Sequence, residues 1–560
     1  MDSSFTKAPI AVPLLSGFDK SHQNLLTSKV GTITPILCDE LIPGTKVNLK
    51  LALNASLPPL ATDTYMRCSI KTEAFFIPLR LLDAGFEAWF TDEAKDFISY
   101  NIDPDTGETV PVSVTDRAYL PVIQDTTSGN NPADWVSKVG NGTLSDYLGI
   151  RTIGSTYLKQ NPITALPFLA YHRVYNDWYR NSLIQKECFL PVPPPNSGNG
   201  VSIFDAAHSP FEFHNSSNYI WSSLEQFTLA DGHCLLDLRQ RNFGLDYFTT
   251  ATPSPQQGDA MKVTFDTSGS EGEFSIGYLR AINSMQQFKE RNNLLGNLYV
   301  DQLYGRYGVR PSDGIAQRSL YLGRGDFEVY SKGVYQSMTG GDDYPPVQTG
   351  NPFTVTGARY GSAYASGENF LVNFEAKEPG YLMVMATLVP RVTYSSGVER
   401  MFHHFVGDGS LSDLANPILQ NVGPQPIYNK ELTGYVNPLW NAPDEIFGYT
   451  DRYAEYKTKS DTLHGLVRDG ETLQAFALQR SFTSGGSPIH INSSFLEIPT
   501  DYMDNVTAIQ SWLSEYGYWL DTYFQYNVAM PLAKYSLPTL QDPAYEHGKT
   551  IVVNRGGSKL

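Results

Sequence analysis

The chain has 560 residues, with 41 Lys and Arg against 58 Asp and Glu, and the formal net charge of −17 excludes a polybasic nucleic-acid coat or a bulk-charge binder of anionic membranes. Charged residues make up 18% of the chain, against roughly 25% in an average globular protein, while aromatics reach 12%, a balance that implies much buried or partner-covered surface. The 46 Gly and 36 Pro suit a loop-rich β protein and are too few for a disordered or collagen-like one.

In chain order, Val47, Leu49, Leu51 and Leu53 alternate with Lys46, Asn48 and Lys50, the period of a half-buried strand. A second strand is predicted from Met66, Cys68 and Ile70 through Phe76, ending at Pro78. Two strands with no helix between them argue against a βαβ plan. Phe86–Phe97 and Phe168–Leu183 read as helices, the second with Pro167 at its first turn. A longer helix is expected from Ser275 to about Asn292–Gly296, carrying Ile276, Leu279, Ile282, Met285 and Phe288. Tyr381–Val389 is a continuous apolar run of strand formers, read as a strand buried on both faces and therefore needing a second covering layer. Between these elements lie long segments rich in Gly, Pro, Ser and Asn: 100–161, 191–243, 340–367 and 405–429.

The length alone would suggest three or four domains, but all-β chains often run longer as one unit. Cys38, Cys68, Cys188 and Cys234 have neither a paired framework nor metal-ligand spacing, which reads as reduced thiols. The N-terminus has no basic-then-apolar leader, and the most apolar stretch, 380–389, is too short to span a bilayer, so a soluble, unprocessed chain is expected.

Catalytic signatures are missing: there is no GxxxxGK[ST], HExxH, GxSxG or strand-borne GxGxxG. No catalytic residue, metal site or cofactor is therefore assigned. His403 and His404, taken as neighbours on a strand, would face opposite sides and could not readily share one metal. Asp342, Asp343, Asp444 and Glu445 read as solvated loop charges, although paired carboxylates for sugar hydrolysis need not be close in sequence. The Arg324-Gly325-Asp326 tripeptide and the N-x-[ST] sequons at Asn54, Asn141, Asn215, Asn492 and Asn505 are short patterns common by chance.

The segment from His547 to Leu560 carries Lys549, Arg555 and Lys559 with no acidic side chain, a local basic tail on an acidic protein. It is either a frayed terminus or an arm that neutralises nucleic-acid phosphates. The aromatic cluster Trp512, Tyr516, Tyr518, Trp519, Tyr523, Phe524 and Tyr526 suits packing better than stacking on unpaired bases.

Several blocks, in order, resemble one family. They include ILCDELIPGTKV (36–47), FFIPLR (75–80) followed by Glu87, Ala88 and Trp89, LSDYLGI (144–150), ALPFLAYHRVYNDWYR (165–180), DYFTTATPSPQQG (246–258) and YGVRPSDGIAQRSLYLG (307–323). RVTYSSGVERMF (391–402), QPIYNKE (425–431), FGYTDRYAEYK (447–457) with His464 and Gly465, and MPLAKYSLPTL (530–540) continue the series. The chain thus resembles the major capsid proteins of gokushovirus-type microviruses, small tailless single-stranded DNA bacteriophages.

That resemblance implies a mainly β protein: a viral jelly-roll β-sandwich spanning 1–560 with several helices, long inserted loops at 100–161 and 187–243, and a flexible basic tail at 541–560. It implies self-assembly of identical subunits, in the bacterial host cytoplasm, into a T=1 icosahedral virion capsid around circular single-stranded DNA. A DNA pilot protein, an internal scaffolding protein and a host receptor would be further partners. Lys549, Arg555, Lys559, Lys7 and Lys20 are the candidate DNA contacts. In the family a threefold protrusion commonly follows the block matching DYFTTATPSPQQG; here only Asp259–Phe274 separates that block from the helix, leaving little chain for one. The long loops at 100–161 and 187–243 are the alternative source of exterior relief. The competing reading is a β-sandwich that binds or cleaves carbohydrate through an aromatic-lined groove; a trimeric tail spike is disfavoured by the lack of repeats.

Overall fold

The computed structural model describes residues 7–9, 12–13, 15–62, 64–83, 86–91, 94–102, 109–117, 120, 122–123, 140–150, 163–188, 220–221, 229, 231–258, 276–296, 298–336, 359–405, 414–433, 445–482, 488–508, 511–532, 545–546 and 550–552. Its centre is a curled antiparallel sheet of nine strands. In chain order these are β1 (Ser16–Asp19), β2 (His22–Ser28), β3 (Thr34–Leu41), β4 (Lys46–Ser56), β5 (Cys68–Pro78), β6 (Leu320–Gln336), β7 (Arg359–Glu375), β8 (Gly380–Pro390) and β9 (Tyr518–Met530).

Strand order folds the sheet into two layers. The first runs β2 (with β1 beside it), β9, β4, β7; the second runs β3, β8, β5, β6. The hinge is β6, whose Leu320–Val329 half pairs with β5 while its Tyr330–Gln336 half pairs with β7. From β2 onward, successive strands thus alternate between layers except at β5 and β6, the double Greek key of a jelly roll. The chain is mainly β, as expected, and the great excursion of 79–319 leaves the sandwich between those two strands.

One apolar cluster fills the space between the layers. It joins Leu49, Leu51 and Leu53 of β4 and Leu520, Phe524 and Tyr526 of β9 to Ile70 and Phe76 of β5 and Leu382, Val384 and Leu388 of β8. Each such side chain, fully removed from water, contributes about 1.5–3 kcal/mol before entropy is counted. The alternation predicted over 46–53 appears along β4, where every second residue is buried and the others are exposed apart from half-buried Ala52.

The run at 380–390 is buried at every position. Leu382, Val384, Ala386 and Leu388 point into the sandwich, whereas Tyr381, Met383 and Met385 face a second cluster. That cluster is the expected covering layer: the helix α1 (Leu166–Val174), with Pro167 in its first turn, packs Phe168, Leu169 and Tyr171 against Phe75, Ile77 and Met383. A third cluster gathers Phe248, Tyr394, Ile427, Phe447 and Phe495 below the sandwich mouth. The other helices that matter below are α2 (Ile276–Leu295) and α3 (Tyr299–Tyr307).

Four local expectations need correction. The helix from Phe86 ends at Phe90, and Ala94–Ile102 instead forms a strand paired with Thr109–Arg117; Ile98, Tyr100 and Ile102 alternate with Ser99 and Asn101, and Val110, Val112 and Val114 alternate on the partner, the period of two that strands favour. The helix predicted to reach Leu183 ends as a π-turn at Tyr179. The loop placed at 340–367 gives way to β7 from Arg359. His403 lies in a 3₁₀ turn, Arg400–His403, with His404 closing it, so the pair is not on a strand.

Candidate functional site

The two layers present different outer faces. The second layer is covered by α1 and its neighbours, and charged groups anchor that cover. Arg241 makes a bidentate pair with Glu73 of β5 (2.7 and 3.0 Å), and Tyr179 donates a hydrogen bond to the same carboxylate (2.5 Å). Burial alone would raise the Glu73 pKa, but the hydrogen bonds and charge of Arg241 outweigh it and hold the carboxyl below its ordinary value. Nearby, Arg239, 2% exposed, pairs with Asp231 (2.7 Å) and its Nε donates to His172 Nδ1 (3.0 Å). His172 Nε2 then donates to the Leu235 carbonyl (2.8 Å), a neutral ring in one tautomer, as its burial beside Arg239 requires.

Among the described residues, the outer face of the first layer is exposed along β4 and β9. Lys46, Asn48, Lys50 and Asn54 of β4 and Trp519, Tyr523, Gln525 and Asn527 of β9 all point to solvent. The register sets Gln525 beside Lys50, Asn527 beside Asn48 and Trp519 beside Ser56. The aromatic cluster singled out in sequence therefore divides by the period of two: Tyr518, Phe524 and Tyr526 are core, while Trp519 and Tyr523 lie on the open face.

Both chain ends leave this layer at one corner, where Met530 pairs with Ser16. Farther out, Lys7–Pro9 pairs antiparallel with Thr550–Val552, and Val12–Pro13 with Tyr545–Glu546. The ends thus form a two-stranded ribbon bringing Lys7 opposite Val552. Lys549, Arg555 and Lys559 lie outside the described residues. Lys20 sits on the β1–β2 turn, ion-paired with Asp39 and 5.3 Å over the Tyr526 ring, while the Tyr526 hydroxyl donates to the same Asp39 (2.7 Å). Lys20 is thereby committed to locking β9 against β3.

Two cavities open at the sandwich mouth. The larger, about 1010 Å³, is lined by four cations, Arg67, Lys71, Arg391 and Lys459, and three carboxylates, Asp246, Glu328 and Asp461. Arg391 pairs with Asp461 (2.6 Å), and Lys459 pairs with Glu399 (2.5 Å). The smaller, about 410 Å³, holds Arg400, Glu431, Glu455 and His404. Glu431 accepts from Arg400 (3.0 Å), the Tyr247 hydroxyl (2.9 Å) and the Tyr428 amide (3.0 Å), and burial raises its pKa despite Arg400. Its oxygens are occupied in holding the loop together, not aimed at an incoming sugar. Arg324 and Asp326 lie within β6, paired to each other at 2.6 Å, so that tripeptide is sheet and not an extended recognition loop. Among the described residues no group of three His, Cys, Asp or Glu side chains is placed to hold a metal, and no helix is long and apolar enough to cross a membrane.

Sequence reasoning missed the surface on α2 and α3. The apolar spacing of α2 reads as helix, while α3 was not predicted, and Ile276, Leu279, Met285, Phe288, Tyr299 and Tyr307 are exposed. The available signal was composition: the same stretch is rich in Tyr and Arg, the residues of protein interfaces.

The chain is 25% identical to "Capsid protein VP1" of Chlamydia phage 1, over 97% of this chain and 98% of that protein. It is 24% identical to the VP1 of Bdellovibrio phage phiMH2K over 96% and 97%, and 22% identical to the VP1 of Spiroplasma virus 4 over 80% and 81%. The profile of the family described as Capsid protein (F protein) matches residues 14–271 and 189–540. With a jelly roll at its centre and matches along nearly its whole length, the chain belongs to the Capsid protein (F protein) family, as a structural major capsid protein of the gokushovirus type.

Proposed function

We propose that identical copies of this chain, each built on one jelly roll, assemble in the bacterial cytoplasm into a small T=1 icosahedral shell around circular single-stranded DNA, without catalytic activity. The observation that carries this reading is the match to capsid proteins over 96–97% of the chain, which leaves no large segment for a separate enzymatic unit. Heterologous contacts that close around symmetry axes would cover the apolar and Tyr-rich surface each subunit leaves exposed.

The −17 charge sets the manner of genome holding: confinement, with a few local cations, in place of a basic lining. Lys7, Lys549, Arg555 and Lys559 on the terminal segments are the stronger DNA candidates, since Lys20 is engaged by Asp39. A DNA pilot protein and an internal scaffolding protein would complete the particle, and a host receptor would meet its exterior. The test is to express the chain with its phage partners, sediment the extract and treat the fast fraction with nuclease. Rapidly sedimenting material that protects circular single-stranded DNA is expected. A monodisperse monomer that binds or cleaves glycans would overturn the proposal in favour of the carbohydrate-active reading.

A further inference from the structure

The C-terminal half of α2 is tied to the loop at 252–256. Near its C-terminus Asn293 donates to Thr252 Oγ1 (3.2 Å) and the Ser254 carbonyl (2.6 Å), and Asn292 accepts from Arg306 (3.2 Å). Over residues 276–288 every side chain is exposed except Ile282 and Gln286, which are half-buried. Ile276, Leu279, Met285 and Phe288 are 44–69% exposed, and Tyr299 and Tyr307 of α3 are 70% and 72% exposed. Glu290 lies against Gly423, and Val422 (63%) and Ile418 (80%) on that neighbouring segment are exposed as well. Large apolar side chains left exposed together on one segment mark an interaction site.

The charge of the patch indicates what covers it. Residues 276–310 hold five cations (Arg280, Lys289, Arg291, Arg306 and Arg310) against two carboxylates, Glu290 and Asp301, leaving 36 cations against 56 carboxylates in the rest of the chain. A cationic segment on an acidic protein is complementary to another copy of that protein. Arg306 sits over Phe288 (4.8 Å) and Arg310 over Tyr304 (5.1 Å), so these aromatic faces are already occupied. The exposed aliphatic groups Ile276, Leu279, Leu294 and Val309, with Tyr278, Tyr299 and Tyr307 exposed beside them, suit the apolar and Tyr-rich centre of a protein interface.

We propose that the α2–α3 pair is a subunit-joining arm whose apolar and Arg/Tyr face docks on a second copy of the chain; this rests on the shell-forming reading above. The double variant Leu279→Asp, Met285→Asp in the full-length chain should leave the unassembled subunit's circular dichroism and melting unchanged and raise the concentration needed for assembly at least tenfold. Arg280→Glu with Arg291→Glu should weaken assembly most at low salt. Met285→Cys, labelled with a photoreactive maleimide in assembled particles, should cross-link to a second capsid chain, giving a band of twice the subunit mass that unassembled protein lacks. Wild-type assembly with unaffected double-variant assembly would overturn the arm while sparing the capsid reading, as would a cross-link to DNA or only within the same chain. A wild-type chain that never forms particles, with or without its phage partners, would remove both.

Discussion

The two layers of the sandwich share one core yet meet different surroundings outside it. β8 of the second layer is buried at all eleven positions, because α1 covers the face turned away from the core. β4 of the first layer, equally long, buries every second residue and shows Lys, Asn and Ser between them. The difference teaches where the long excursion of the chain is used: it builds a lid on one sheet and leaves the other open. Bonds that fix the lid are accordingly buried and charged, as at Arg241–Glu73, whereas the open face shows Lys, Asn and Gln with Trp519 and Tyr523 among them and carries the chain ends.

The sharpest way to break this contrast is to place a carboxylate on each outer face. Met383→Asp would bury an unpaired charge between β8 and α1, and the unassembled subunit should lose at least about 4 kcal/mol or fail to fold. Asn48→Asp, on the exposed face, should change stability by no more than about 0.5 kcal/mol. Urea unfolding compares the two directly, and similar losses would show that the first layer is covered as well.

Arg241→Met tests the lid's anchor. Leaving Glu73 buried without its partner should cost about 3–5 kcal/mol near neutral pH. Because the folded pKa of Glu73 is lowered, its stabilising contribution is present above the ordinary Glu value of about 4.3 and is lost as pH falls through the lower folded value. The gap between wild type and variant should therefore narrow below about pH 4; a gap constant from pH 7 to pH 3 would assign the loss to packing.

The shared core predicts equality where the outer faces differ. Leu51→Ala of the first layer and Leu382→Ala of the second should each cost about 2–5 kcal/mol, since both side chains are fully buried in one cluster. The smallest effect on the subunit belongs to the terminal ribbon. Deleting residues 549–560 should leave the melting temperature within a degree or two but lower DNA retention and shift particle dissociation to lower salt. Unchanged packaging and salt response would remove the tail from the DNA-contact candidates.

The elements legible in sequence were those whose periodicity was strong. β4 alternates along its length and β5 over its first four residues, and the continuous apolar run at 380–390 required a covering layer. β6 and β7 were harder, because glycines weaken the strand signal where backbones crowd. A Cβ on Gly323 would lie 2.2 Å from the Leu371 carbonyl oxygen, and one on Gly367 would lie 2.8 Å from the Phe327 ring. The buried pairs Arg241–Glu73 and Arg239–Asp231 join residues far apart in the chain, which no local pattern reveals. Of the DNA-contact candidates, Lys20 was chosen for its charge alone; its engagement with Asp39 depends on how β9 meets β3.

The central claim, that this chain is a shell-forming subunit, is tested most directly by electron microscopy of the chain assembled with its phage partners. Closed particles of uniform diameter with icosahedral symmetry are expected, one jelly roll per asymmetric unit. Fields of separate monomers, or open sheets and filaments that never close, would contradict it.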